Sequence, residues 1–128
     1  MLVLDTHILI GALAGQLPAR EAAIVSRDSW SIAAISLWEV AKLAQLGRVE
    51  IDLESAEVVR ALARVHVWPL TLDIARTSTR LDFRGDPADE LIAATANITF
   101  NAGSYFLPAH CACHLALSLA RSTSCPRR

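Results

Sequence analysis

Three acidic residues lie far apart in the chain, at places that a sheet of parallel strands would bring together. Asp5 ends a short apolar run, Glu39 lies early in a segment with helical spacing, and Asp89 lies in the first turn of a later one. In an open parallel sheet the carboxyl ends of the strands share one edge, and ligands bind at that edge. The sequence therefore predicts one pocket for the three carboxylates.

Apolar spacing predicts that two of these acids face inward. Glu39 shares a helix face with Leu43, and Asp89 shares one with Ile92. Carboxylates buried side by side repel each other, and a divalent cation removes that repulsion. Mg²⁺ prefers hard oxygen ligands and keeps several waters, so a few carboxylates suffice. We therefore predict a Mg²⁺ site on Asp5, Glu39 and Asp89, which suits phosphodiester cleavage because the metal neutralises phosphate and activates water.

Each acid also has a structural interpretation that stays open at this level. Ser36 and Glu39 match the S-x-x-E pattern of a capping box, in which serine opens a helix. Asp89 would favour the positive end of its helix, and Asp5 would cap the helix after it. Asp86 is expected to be an N-cap and is an auxiliary candidate for the site.

Other residues with chemical potential are expected to be structural. His7 lies close to Asp5, but a satisfied structural histidine is the favoured interpretation. The tryptophans at positions 30, 38 and 68 are expected in the core rather than as platforms for nucleobases.

Short apolar segments alternate with helical ones over residues 1–96. Strands are predicted at 2–5, 29–35 and 65–70, and helices at 8–14, 19–26, 36–46, 54–64, 71–81 and from 87 onward. The strands are apolar on both faces. This pattern indicates an α/β domain whose central parallel sheet is covered by helices on both sides.

Residues 97–128 differ in composition from the rest. All 13 acidic residues lie between Asp5 and Glu90, whereas all three cysteines follow residue 97. We therefore expect a core domain over 1–96 and an atypical tail over 97–128, with a missing or poorly formed final strand. A reading-frame shift near codon 97 is the hypothesis that explains this change. The segment His110–His114 is spaced too tightly for an ordinary zinc site.

Composition limits the class of protein. The chain has 128 residues, of which 53% are hydrophobic, and a net charge of −1, which is typical of one globular domain and does not indicate a nucleic-acid binder. No stretch in the first hundred positions approaches about 18 uncharged apolar residues, so no membrane span is predicted. An odd number of cysteines without framework spacing favours the cytoplasm.

Three segments together resemble a known family. DTH at 5–7, ISLWEVAKL at 35–43 and DPADELIAATA at 86–96 look like a PIN-domain nuclease, and more narrowly a VapC-like toxin of a toxin–antitoxin pair. The resemblance covers residues 1 to about 96. It implies a three-layer α/β/α domain, an endoribonuclease that uses Mg²⁺ or Mn²⁺, and a cognate antitoxin; proteins of this family are commonly homodimers. Carried over by position, Asp5, Glu39 and Asp89 form the acidic metal site, with the hydroxyl of Thr6 beside it.

Two departures from the family pattern keep a second function open. The family usually has a fourth acid, in a T-x-D setting, after the strand that follows the ELIAATA helix, whereas no acid follows Glu90 here. The family also tends to have an aromatic residue where Gly11 stands. The chain is therefore expected to be either an active endoribonuclease toxin or a catalytically impaired relic that only binds antitoxin or RNA. A regulator that accepts a phosphoryl group is disfavoured, because Lys42 is the only lysine.

Overall fold

The computed structural model describes residues 1–100 and 105–107, in which four strands and six helices occur. The strands are β1 Leu2–Leu4, β2 Trp30–Ala33, β3 His66–Trp68 and β4 Tyr105–Leu107, and the helices are α1 Thr6–Ala14, α2 Ala19–Val25, α3 Ala34–Gln45, α4 Ala56–Leu62, α5 Leu72–Ser78 and α6 Pro87–Phe100. In this part of the chain no single helix is long and apolar enough to cross a membrane. Together α1 and α2 reach that length and composition, but the pair is bent by 95°.

The strands form one parallel sheet in the order β3-β2-β1-β4. The chain steps outward from β1 through β2 to β3 and then crosses back, placing β4 on the other side of β1. Right-handed crossovers put the helices of the outward steps and those of the return on opposite faces of the sheet. The predicted α/β fold with a central parallel sheet is confirmed. Strand order reverses beside β1, and ligands bind at such a reversal in open α/β sheets.

The centre of the sheet is buried on both faces. All three residues of β1 are buried, and successive side chains of a strand point to opposite faces, so Leu2 and Leu4 face one layer and Val3 the other. Leu9 of α1 packs in the same cluster as Leu4. The buried residues of α6 include four alanines, at positions 88, 93, 94 and 96. Their small side chains let α6 approach the sheet closely, where it contacts β2 and β4.

Local signals in the sequence fix several helix ends. Gly15 and Gly47 follow α1 and α3 with a φ of 66°, the left-handed region that glycine tolerates best. Ser55 and Thr71 cap α4 and α5, each accepting a 3.3 Å hydrogen bond from a backbone N–H in the first turn. These ends agree with the predicted boundaries to within a few residues.

The start of α3 differs from the capping-box prediction, which is wrong. The helix begins at Ala34, directly after β2, with Ala33 in the N-cap position and no side-chain cap. Ser36 lies inside the helix and is fully buried. Because the chain enters the helix straight from the strand, Glu39 falls in the second turn. Its carboxylate therefore reaches another element of the fold instead of the backbone of its own helix.

The segment after residue 96 is only partly described. Helix α6 continues to Phe100, and β4 pairs with β1, so the final strand that was expected to be missing or poorly formed is present. Residues 101–104 and 108–128 lie outside the described part of the chain. The predictions about the His110–His114 segment, the cysteines and the rest of the tail concern those residues.

Candidate active site

Two of the predicted acids lie on the segments that follow neighbouring strands of the sheet. Asp5 follows β1 directly and caps α1, its Oδ1 accepting a 3.3 Å hydrogen bond from the backbone N–H of His7. Glu39 lies on α3, which follows β2. The side chain of Asp5 is only 17% exposed, and Glu39 is partly buried. Both carboxylates are therefore withdrawn from bulk water.

Asp89 is more open than the apolar spacing predicted. It lies in the first turn of α6, and its residue is exposed, although Ile92 one turn later is buried as expected. Ala88 and Ile92 are buried, whereas Asp89 between them is not. Asp89 is therefore the most exposed of the three predicted acids.

A long-range hydrogen bond links α1 to α3 beside Asp5. The hydroxyl of Thr6, a residue only 1% exposed, donates to Oε2 of Glu39 over 2.5 Å. The two residues are 33 positions apart in the chain. This bond fixes the orientation of the Glu39 carboxylate and holds it next to the residue that follows β1.

Burial, the neighbouring acids and a hydrogen bond all affect the pKa of Glu39. Burial raises the pKa of Glu39 most, and the negative charges of Asp89, Asp5 and Asp86 raise it further. The hydrogen bond from Thr6 acts in the opposite direction, because it favours the ionised carboxylate. The net result is a raised pKa of Glu39, so this carboxyl ionises less readily than a solvent-exposed glutamate.

The pKa of Asp89 is also shifted by neighbouring charges of the site. Burial raises its pKa, the charges of Asp5 and Asp86 raise it further, and His7 lowers it. The residues Asp5, Glu39, Asp86 and Asp89, which we call the acidic cluster, therefore act on one another electrostatically. The cluster combines acids from three separate segments of the chain.

Asp86 has a larger part in this cluster than the sequence indicated. Its Oδ1 accepts a 3.0 Å hydrogen bond from the backbone N–H of Ala88, as expected of the residue that caps α6. Its charge also raises the pKa of both Glu39 and Asp89. The signal in the sequence was its spacing from Asp89, since residues three apart share one face of a helix.

The donor chemistry of the acidic cluster fits a hard divalent cation. It offers carboxylate oxygens, and the charges of neighbouring acids add to burial in raising the pKa of both Glu39 and Asp89. Over residues 1–100 and 105–107, however, no three acidic, histidine or cysteine side chains stand close enough together to hold a metal ion. A bound cation would therefore draw the carboxylates closer than they lie here.

The raised pKa values predict how stability depends on pH without divalent cations. The folded-state pKa exceeds the ordinary values of 4.5 for Glu39 and 3.8 for Asp89, so protonation favours the folded state. This stabilisation is complete below the ordinary values and is lost as pH rises through the raised ones. In EDTA at pH 7 we expect the double variant Glu39→Gln/Asp89→Asn to melt about 2–5 °C above the wild type. Below about pH 3 the difference should vanish, because the acids are then protonated in both states.

Calorimetry across that pH range measures the effect, and a double variant of exposed acids, Glu57→Gln/Asp73→Asn, is the matched control. An advantage of the same size at pH 3 and pH 7, or an equal gain in the control, would contradict the raised pKa values of Glu39 and Asp89 as its source.

Comparisons with known proteins agree with this fold. The family model described as PIN domain matches residues 2–101. Over 81 residues the chain is 38% identical to "Ribonuclease VapC22" of Mycobacterium tuberculosis (strain ATCC 25618 / H37Rv), a match that covers 61% of this chain and 62% of that protein. The chain thus spans less than two thirds of the length of that relative. Since the family model covers most of the chain, from β1 through α6, the chain belongs to the PIN domain family.

Proposed function

We propose that this chain is a metal-dependent endoribonuclease toxin that hydrolyses RNA phosphodiester bonds and is neutralised by a cognate antitoxin. The observation that carries the proposal is the acidic cluster at the carboxyl edge of the sheet, in which Asp5 caps α1 and the hydroxyl of Thr6 donates to the Glu39 carboxylate. Membership of the PIN domain family and the 38% identity to a protein named as a ribonuclease support it.

The proposed cofactor is Mg²⁺ or Mn²⁺, held by Asp5, Glu39 and Asp89, with Thr6 and Asp86 as auxiliary residues. When bound there, such a cation would neutralise phosphate charge and supply an activated water for hydrolysis of the phosphodiester bond. Carboxylates suit this role because hard cations prefer oxygen ligands.

The protein's own groups prepare the site in two ways. Asp5 is fixed in position because its carboxylate also caps α1. Glu39 is oriented by the hydroxyl of Thr6, whose hydrogen bond favours the ionised form that a cation needs. Since protons and cations compete for Glu39 and Asp89, the site accepts a cation most readily above their raised pKa values.

A second candidate function is a catalytically impaired relic that binds antitoxin or RNA without cleaving. Two observations favour it: no acid follows Glu90, and within the described residues no group of three potential ligands has the spacing of a metal site. A reading-frame shift near codon 97 would account for the missing fourth acid. The frames of the DNA past codon 96 test this directly, because a T-x-D stretch after an apolar strand would support it.

The loss of one proposed ligand tests the catalytic proposal. We expect the wild type with Mn²⁺ or Mg²⁺ to cleave single-stranded RNA and Asp5→Asn to lower the rate at least about a hundredfold, since one of three cation ligands is lost. Asp73→Asn, which removes a carboxylate that is 83% exposed on α5, is the matched control and should retain full activity. A gel assay of end-labelled RNA, with EDTA as the metal-free arm, measures the rates.

Cleavage by Asp5→Asn at the wild-type rate, or cleavage that survives EDTA, would contradict the proposed mechanism. A folded wild type that binds RNA but does not cleave it with either metal would favour the relic instead. Circular dichroism of each variant checks that the fold is intact.

The proposed antitoxin would bind exposed apolar side chains on two helical segments. Trp38 was expected in the core, yet it is 57% exposed, because it lies about 200° around α3 from buried Ser36. Leu37 on α3, Leu46 directly after α3 and Val59 on α4 are exposed as well. Exposed apolar groups of this kind mark partner sites. From the resemblance to VapC toxins we also propose a homodimer in the cytoplasm.

Polar substitution at the exposed tryptophan tests the antitoxin proposal. We expect Trp38→Ser to weaken binding of the co-expressed antitoxin at least about tenfold, because large aromatic side chains dominate interface energies. Leu72→Ser, at a residue 64% exposed on α5, is the control and should bind normally. Surface plasmon resonance measures the affinities, and unchanged binding by Trp38→Ser would overturn this assignment of the surface.

A further inference from the structure

His7, which was expected to be a satisfied structural histidine, is exposed beside the acidic cluster. Its side chain is 66% exposed, and its Nδ1 lies 3.9 Å from Oδ1 of Asp5, farther than a hydrogen bond. It also acts on Asp89, since it is the neighbour that lowers the pKa of that carboxyl. The imidazole is therefore exposed to solvent beside two proposed cation ligands, Asp5 and Asp89.

At position 7 the backbone, not the side chain, makes the hydrogen bond that caps α1. The N–H of His7 donates to Asp5 and completes the cap of α1, and any residue except proline could make this bond. No such duty requires an imidazole, and most of the ring faces solvent. The side chain is thus available to a ligand that approaches the acidic cluster.

The position of the His7 imidazole suits contact with a phosphodiester substrate. A phosphodiester chain approaching Asp5, Glu39, Asp86 and Asp89 meets several negative charges, and groups that contact RNA backbones are hydrogen-bond donors. An imidazole always carries at least one N–H, so it donates to a phosphate oxygen in either tautomer.

We propose that His7 is a substrate-contacting residue, whose imidazole donates a hydrogen bond to a phosphate oxygen of RNA bound at the mouth of the acidic cluster. The inference rests on the proposed ribonuclease function and adds a residue to its substrate site. His7 positions the RNA backbone next to the proposed cation ligands, while the chemistry of cleavage stays with the acids.

Binding of uncleaved RNA tests this contact separately from catalysis. The parent protein is Glu39→Gln, which is expected to stop cleavage while leaving Asp5 and Asp89, the neighbours of His7, unchanged. Fluorescence anisotropy with an end-labelled single-stranded RNA and Mn²⁺ gives the affinity. In this parent we expect His7→Phe to weaken binding about fivefold to tenfold, since a donor to a charged phosphate is lost. His7→Gln, which keeps an N–H donor, should recover most of the affinity.

His66→Phe is the matched control, because it removes an exposed imidazole from β3, and the charge of His66 is not among those that shift the pKa of Glu39 or Asp89. It should bind RNA within about twofold of the parent. In the otherwise wild-type protein, His7→Phe should raise KM more than it lowers kcat, because the contact positions substrate and does not take part in the reaction.

The other outcomes overturn the inference in distinguishable ways. If the parent binds RNA and His7→Phe binds equally well, the contact is wrong while the ribonuclease function stands. If His7→Gln is as weak as His7→Phe and both melt at lower temperature, the role of His7 is structural. If the parent does not bind RNA and the wild type does not cleave it, the proposed function fails together with the contact.

Discussion

The repulsion among carboxylates at the carboxyl edge of the sheet is the constraint on which the rest of this domain depends. Asp5, Glu39, Asp86 and Asp89 come from three segments; burial raises the pKa of Glu39 and Asp89 most, and the charges of the other acids raise it further. Such a cluster costs stability unless protons or a cation compensate it. The proposed compensation is a hard divalent cation, because such ions prefer carboxylate oxygens as ligands.

Apolar packing of the sheet and specific hydrogen bonds together hold the acids in place. β1 is buried on both faces, so the residue that follows it has a fixed place. Asp5 is then held by the backbone of α1, and Thr6 reaches across to Glu39 on α3. The buried alanines of α6 let the helix pack closely on the sheet, and its first turn, with the exposed Asp89, lies at the same edge. Two adjacent residues, Asp5 and Thr6, thus link the sheet to two helices.

Features encoded by neighbouring residues could be predicted from the sequence. The caps at Asp5 and Asp86 and the helix ends at Gly15 and Gly47 depend on local backbone chemistry, and the structure has them where the sequence indicated. The alternation of apolar strands and helices likewise predicted the parallel sheet. Convergence of the acids at one edge followed from topology, because strand ends in such a sheet share an edge whichever residues connect them.

Features decided by distant partners could not be predicted in the same way. Ser36 and Glu39 match a capping box, but Glu39 accepts a hydrogen bond from Thr6, 33 residues away, and α3 begins before Ser36. Trp38 is exposed because of the direction in which α3 packs, which no local pattern gives.

The most direct test of the account is an anomalous-difference map from crystals soaked in Mn²⁺. We predict one strong peak about 2–2.5 Å from carboxylate oxygens of Asp5, Glu39 and Asp89, with the side chains drawn closer together than in the metal-free protein. The same soak of Asp5→Asn crystals should lose or weaken that peak. No peak at the carboxyl edge at millimolar Mn²⁺, or a peak that does not involve these carboxylates, would contradict the central claim that the acidic cluster is a cation site.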